Sequence, residues 1–232
     1  MQMFARISWA YATVIIFTGM TLMIAMFKFV PQPYAQKIAA RFIQLFTFWS
    51  FETEGAEDPD AQMFLVNHQS DLDIGIMELV TKRDLAWVAK KELFDVPFFG
   101  LNLKLPNNIP IERESKSSLV KLLKAAKERL DAKRVITIFP EGTRSSTGKM
   151  LPFKPGAKIV ADKYTLRVQP IVLMATASCY NIKKFYYRPR KIKVIFLDSF
   201  IADKENPEWL NNLRTTMQTV YDNELANNSG NR

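Results

Sequence analysis

MFLVNHQSDLD, residues 63–73, decides how the rest of the chain is read. Met63 to Asn67 is a short apolar run that reads as a strand, and the only histidine of the chain, His68, stands at its carboxyl end. Asp71 and Asp73 follow. A histidine acting as a base needs an acceptor for its Nδ1–H, so that the tautomer is fixed and Nε2 is free to take a proton. Asp73 is a candidate acceptor. In a continuous helix, residues five apart point about 140° away from each other, so the pairing requires His68 on a turn just before a helix that carries Asp73. A strand ending at Asn67 permits this. A hydrogen-bonded structural histidine is the alternative at this point.

Working outward, strands and helices alternate from Ala61 onward. LAWVA (85–89), RVITIF (134–139), VQPIVL (168–173) and KVIFL (193–197) read as further strands. Leu119, Leu122, Leu123, Ala126 and Leu130 form a helical stripe behind a cap at Ser115 or Ser117. Pro207 suits the first position of a last amphipathic helix through Leu210, Leu213, Met217 and Val220. The expected fold class is α/β, a mixed sheet flanked by helices. After the strand RVITIF comes FPEGTRS (139–145), where Pro140 ends the strand, Gly142 permits positive φ, and Glu141 and Arg144 project from a tight loop. Such a loop offers backbone N–H donors and an arginine fork to a phosphate. A base at one strand end and an anion binder at another form the convergent set expected at the carboxyl ends of strands.

Upstream, Ile7 to Phe27 holds no charge over 21 residues; as a helix it reaches ~31 Å, about the depth of a bilayer core. Its polar positions Ser8, Thr13, Thr18 and Thr21 equally suit a helix lying in the interface or packed on its own domain. Lys28 follows the run and no small-x-small site precedes Pro31, which argues against a cleaved signal. Pro31 and Pro33 break the helix, and Tyr34 to Phe51 resumes helical spacing with Ile38, Phe42, Leu45 and Trp49 on one stripe. The expectation is therefore an N-terminal two-helix membrane-attachment module (1–51) that does not build the reaction centre, an acidic linker ETEGAEDPD (52–60), and an α/β domain (61–232).

Composition narrows the function classes. The 232 residues are 48% hydrophobic and 24% charged, a folded composition. Thirty-two basic against 23 acidic residues give +9, which favours anionic partners. A lone histidine excludes zinc sites built on two imidazoles, and the lone Cys179 excludes an internal disulfide and suits a reducing compartment. Neither GxGxxG nor GxSxG occurs, and GTRSSTGK (142–149) has five residues between its glycines where a P-loop has four.

These motifs resemble the glycerolipid acyltransferases. Asn67, His68 and Asp73 match the family's NHxxxxD, and FPEGTRS matches its third motif in full. KKELFDVPFFG (90–100), IPIER (109–113), LPFKPGA (151–157) and VQPIV (168–172) agree in order and spacing, so the resemblance covers roughly residues 61–200. Asn107–Asn108 departs from the glycine common before IPIER. The resemblance implies acyl transfer from an acyl thioester, acyl-CoA or acyl carrier protein, to the sn-2 hydroxyl of lysophosphatidic acid, with another lysophospholipid or glycerol-3-phosphate as the alternative acceptor. It implies no metal and no cofactor beyond that thioester. His68 and Asp73 would be the catalytic pair, backbone N–H groups of Gly142 and Thr143 would hold the oxyanion, and Arg113 and Arg144 would clamp the acceptor phosphate. Glu141 would orient the glycerol hydroxyl or hold Arg144, and Lys91 is a further phosphate candidate. Phe94, Val96, Phe98 and Phe99 would line an acyl groove or fill the core. The basic, aromatic segment KKFYYRPRKIK (183–193) would meet anionic headgroups or the phosphopantetheine carrier, not nucleic acid. The protein is expected at the inner membrane with its catalytic domain on the cytoplasmic face; oligomeric state is not readable.

Overall fold

The computed structural model describes residues 2–112, 116–145 and 147–230. Along the chain it forms α1 (Gln2–Met26), α2 (Gln32–Thr47), β1 (Ser50–Glu54), β2 (Met63–Val66), α3 (Leu72–Val80), β3 (Leu85–Lys90), α4 (Lys91–Phe94), α5 (Leu101–Lys104) and β4 (Ile109–Ile111). It continues with α6 (Lys116–Asp131), β5 (Val135–Ile138), α7 (Pro155–Tyr164), β6 (Arg167–Met174), α8 (Thr176–Cys179), β7 (Tyr180–Asn181), β8 (Tyr186–Tyr187), β9 (Lys191–Phe196), β10 (Phe200–Ile201) and α9 (Trp209–Gly230).

One mixed sheet carries the fold, in the order β1-β9-β6-β2-β5-β3-β4, with β10 on β6. The strands β6, β2, β5, β3 and β4 run parallel, while β9 is antiparallel to β6 and parallel to β1. Alternation explains the unbroken apolar runs. Met63 and Leu65 point into a core shared with α6, α7 and α9, whereas Phe64 and Val66 point into a second core shared with α1 and α3. A strand covered on both faces has no polar side to display.

Beyond the last backbone pairing of β2 with β6, Val66 to Ile171, a side chain takes over. Asn67 Nδ2 donates to the Leu173 carbonyl oxygen (3.0 Å) and Asn67 Oδ1 accepts from Leu173 N–H (2.6 Å), with Asn67 fully buried. The chain is thereby anchored at the point where it leaves the strand for His68.

The amino-terminal expectations need correction. The break between the two helices falls at residues 27–31, but Pro33 lies in the first turn of α2, where a missing N–H costs nothing, so the second helix starts at Gln32 and not at Tyr34. The helix stops at Thr47 because Phe48 turns left-handed (φ 57°). Trp49 is therefore not on a helical stripe but buried in the second core. Residues 52–54 are not linker: Glu52 and Glu54 belong to β1 and form ion pairs with Lys191 and Lys193 on the adjoining β9. An acidic edge strand beside a basic one reads as a solvated run until its neighbour is known. At the other end, Pro207 lies in the turn before α9, which starts at Trp209.

The first two helices pack on the domain. Ser8 Oγ donates to the Tyr187 carbonyl oxygen (3.1 Å) and Thr13 Oγ1 bonds Tyr180 Oη (3.0 Å). At Gly19, a Cβ would stand 2.5 Å from Ile43 Cγ1, so the close approach of α1 to α2 uses the missing side chain. The opposite side of α1, including Met3, Phe4, Ile7, Val14 and Phe17, is exposed. Met3–Met26 is long and apolar enough to cross a membrane, with a mean hydropathy of 1.7.

Asn67→Ala leaves the Leu173 peptide without its two side-chain partners, at about 1–3 kcal/mol for each buried group left unsatisfied. Thermal unfolding of detergent-solubilised protein should show a melting temperature lower by about 5 °C or more. Asn67→Asp should also be destabilised, because it sets a carboxylate oxygen against the Leu173 carbonyl. Unchanged melting in both variants would show that the side-chain clamp carries no stability.

Candidate active site

Because β2 and β5 are parallel neighbours, the segments that follow Val66 and Ile138 emerge side by side. His68 Nδ1 lies 2.8 Å from Asp73 Oδ2, and that oxygen also accepts from Gln69 N–H (2.7 Å) and Ser70 N–H (2.9 Å). Asp73 is in the first turn of α3 and is fully buried, so its carboxylate bends back over the turn that carries the histidine. The expected pairing across a strand–turn–helix corner is what the structure shows. With Nδ1–H donating to the carboxylate, Nε2 is the ring nitrogen left with a lone pair, and the His68 side chain, 16% exposed, opens on a cleft.

The imidazole stacks on Phe139, the residue just past β5, with centroids 3.9 Å apart and planes 10° apart. Phe139 in turn lies against Trp87 of β3 at 5.0 Å. Trp87 Nε1–H donates to Glu78 Oε1 (2.9 Å), which also accepts from Gln36 of α2 (3.3 Å). Sequence reasoning missed this row, and nothing in residue spacing reveals it, because its members come from five separate elements.

Glu141 has a different role from either one expected. Its Oε1 accepts from His68 N–H (2.8 Å) and its Oε2 from Leu151 N–H (2.8 Å), and the residue is 1% exposed. It is absent from the cleft lining, and Arg144 pairs with Asp71 instead. Burial pushes its carboxyl above the ordinary range, while the two backbone donors pull the other way. Ser145 N–H donates to the His68 carbonyl oxygen (2.9 Å), so the FPEGTRS loop grips the His68 peptide from both sides.

The other candidate residues separate. Gly142 does adopt positive φ (68°), but its N–H closes a turn onto the Phe139 carbonyl oxygen (3.0 Å), which takes it away from an oxyanion. Thr143 N–H has no such partner among the described residues. Arg144 lines the cleft and forms an ion pair with Asp71. Lys91 forms an ion pair with Glu112 and lies outside the cleft; its neighbour Lys90 and the distant Lys154 line it instead. Arg113 lies outside the described residues. Of the four apolar candidates only Phe99 lines the cleft. Phe94 is core, Val96 is exposed, and Phe98 stacks against Phe17 of α1.

The cleft has a volume of about 870 Å³. Its polar part gathers His68, Asp71, Thr143, Arg144, Lys90 and Lys154, and its apolar part runs between α3 and the first two helices along Ile16, Met20, Met23, Ala39 and Ile43. Residues of the first 51 therefore build one wall of the site, against expectation. Among the described residues no three His, Cys, Asp or Glu side chains converge as a metal-binding group. The arrangement offers an oriented base, cations for a phosphate, and an apolar channel of lipid character.

Comparison with known proteins agrees with this chemistry. The acyltransferase family model matches residues 52–174. The chain is 42% identical over 173 residues to a 1-acyl-sn-glycerol-3-phosphate acyltransferase of Helicobacter pylori, covering 74% of this chain and 73% of that one. It is 30% identical over 161 residues to the human 1-acyl-sn-glycerol-3-phosphate acyltransferase beta, covering 67% and 58%. The crystal structure of the 1-acyl-sn-glycerophosphate (LPA) acyltransferase of Thermotoga maritima shares the fold, with a TM-score of 0.72 over 97% of this chain and 94% of that one at 21% identity.

Glu78 gives a prediction on stability. Burial pushes its carboxyl up from 4.5 to about 7, so the fold favours the protonated form. That contribution is fully present below the unfolded value and is lost as pH rises through about 7. Glu78→Gln keeps an acceptor for Trp87 without the charge. It should melt like the parent near pH 4.5 and be more stable by on the order of a few kcal/mol at pH 8. Parallel curves of melting temperature against pH for the two proteins would be the contrary result.

Proposed function

The chain belongs to the acyltransferase family, and from that premise we propose that it acylates the sn-2 hydroxyl of 1-acylglycerol 3-phosphate to give phosphatidic acid. The observation that carries the reading is the His68–Asp73 pair at 2.8 Å, with Nε2 opening on a cleft that is cationic at one end and apolar at the other.

The chemistry follows from those positions. An alcohol is a poor nucleophile at neutral pH, so His68 Nε2 removes the acceptor hydroxyl proton as its oxygen attacks the thioester carbonyl carbon. Asp73 stabilises the imidazolium that results. Thr143 N–H is the donor available to the developing oxyanion, an interaction worth about 2.7–4 kcal/mol in comparable sites. Collapse breaks the carbon–sulfur bond, and the imidazolium returns its proton to the thiolate. No acyl-enzyme forms, and the step needs no metal or cofactor besides the thioester of coenzyme A or acyl carrier protein. Arg144, with Lys90 and Lys154 nearby, takes the acceptor phosphate. Glu141 acts through the backbone, holding the His68 peptide where the stack on Phe139 needs it.

The same reading gives the first two helices a double task. Contacts with the domain run along α1 from Ser8 to Phe17, about 14 Å at 1.5 Å per residue, and Met20 and Met23 line the cleft beyond them. That leaves too little free helix for a hydrocarbon core about 30 Å deep. We therefore propose that α1 lies within one leaflet with its exposed apolar side in lipid, the catalytic domain facing the cytoplasm at the inner membrane. Lysolipid then enters the cleft from the bilayer, and the basic segment 183–193 meets anionic headgroups or the carrier protein. Nucleic acid has no part in this function.

His68→Ala and Asp73→Asn should each lower kcat by about three orders of magnitude or more with little change in acceptor KM, and the double variant should be no worse than His68→Ala alone. The measurement is transfer of a labelled acyl group to lysophosphatidic acid in mixed micelles, with circular dichroism to confirm folding. A folded Asp73→Asn variant of parental activity would remove the dyad from the mechanism.

A further inference from the structure

We propose that Asp71 is the acceptor-selecting residue of this site: it holds Arg144 while no acceptor is bound and gives it up to a phosphomonoester but not to a phosphodiester. The inference rests on the reading that Arg144 takes the acceptor phosphate.

Asp71 occupies the N-cap position of α3, where an aspartate ordinarily bonds the free N–H groups of the first turn, yet its side chain makes no capping bond. Its carboxylate is turned to Arg144 on the FPEGTRS loop. Both side chains line the cleft, next to His68, and both remain partly exposed, at 44% for Asp71 and 34% for Arg144. The other two cations of the cleft, Lys90 and Lys154, have no ion-pair partner among the described residues. The resting site thus keeps two cations open to attract an anion, while the third, which sits on the catalytic loop, is already neutralised.

Charge then decides which headgroups can take Arg144. A phosphodiester carries one negative charge, so displacing Asp71 exchanges one monoanion for another and gains no Coulombic energy. A phosphomonoester carries about −1.5 to −2 near neutral pH and presents a further terminal oxygen to the guanidinium fork, so it wins the exchange. Partly exposed ion pairs are held weakly, and the displacement is within reach of a bound ligand. Selectivity comes here from a built-in competitor that the wrong headgroup cannot outbid.

The test compares kcat/KM for lysophosphatidic acid with that for lysophosphatidylglycerol of the same acyl chain, in the parent and in Asp71→Asn. Asparagine keeps the size and the capping preference; Asp71→Ser, another good cap, serves as a second variant. Both variants should lower the ratio of monoester to diester use about tenfold, through a rise in diester use with lysophosphatidic acid KM equal to or below the parent's. Arg144→Ala and Asp71→Asn/Arg144→Ala should then show the same ratio, because Asp71 acts through Arg144. An unchanged ratio in the Asp71 variants, or a raised KM for both acceptors, overturns the selecting role, the latter by showing that Asp71 serves to orient Arg144. Arg144→Ala separates the two readings. If its lysophosphatidic acid KM is parental, the phosphate assignment itself fails; if KM rises while the Asp71 variants keep the parental ratio, only the selecting role fails.

Discussion

The buried carboxylate of Glu141 is the constraint on which the site depends. It joins the backbone of His68, just past β2, to that of Leu151, on the far side of the loop after β5. A carboxylate taken out of water is unfavourable unless donors replace the water, and here two peptide N–H groups do so. The same bonds remove the freedom of the His68 peptide, which Ser145 N–H holds from its carbonyl side. With the peptide fixed, the ring has one place to lie, against Phe139 and with Nδ1 toward Asp73. Orientation of the imidazole is therefore a property of two loops and not of the His68–Asp73 pair alone, a form of preorganisation.

How much of this was legible in the chain depends on the range of the interaction. The dyad was readable because strand, turn and helix within eleven residues leave His68 and Asp73 few ways to meet. The strands were readable as strands because burial on both faces leaves a short unbroken apolar run, as in Phe64 to Val66, although their direction was not. Glu141 was not, since a glutamate that bonds backbone across loops looks the same in sequence as one that faces substrate. The exchange of Lys91 for Lys90 has a similar cause. β3 ends at Lys90 and α4 begins at Lys91, so a single residue decides which lysine faces the cleft and which turns to Glu112. Charge composition misled at residues 52–54, where the acidic run is complementary to β9, a strand about 140 residues later in the chain.

The first two helices show the same limit on a larger scale. An uncharged helix has no polar face to mark where its own domain stops and another apolar medium begins. What distinguishes its sides is size and small hydrogen-bonding groups. Ala12, Gly19, Ser8 and Thr13 are on the side that docks, while Phe4, Ile7 and Val14 project outward. Close packing selects small residues where backbones approach, and an apolar face this long left bare in water would be an aggregation hazard. Both sides of α1 therefore require cover, and the domain supplies it on one side only.

That division explains why a cleft can hold a cationic mouth and an apolar wall without either compromising the other. The cations come from the ends of sheet strands and their loops, where backbone dipoles and solvent access make charge tolerable. The apolar wall comes from α1 and α2, which contribute Ile16, Met20 and Ile43 and no charged side chain to the lining. The one carboxyl on that side, Glu78 of α3, is bonded to Trp87 and Gln36, and burial pushes its pKa up to about 7. A channel for an acyl chain has to be dry, and an ionised group in its wall would draw water toward the thioester, where hydrolysis competes with transfer. With Glu78 bonded within its row and the cations gathered at the strand ends, one continuous cavity offers a charged region and an apolar one at the same time.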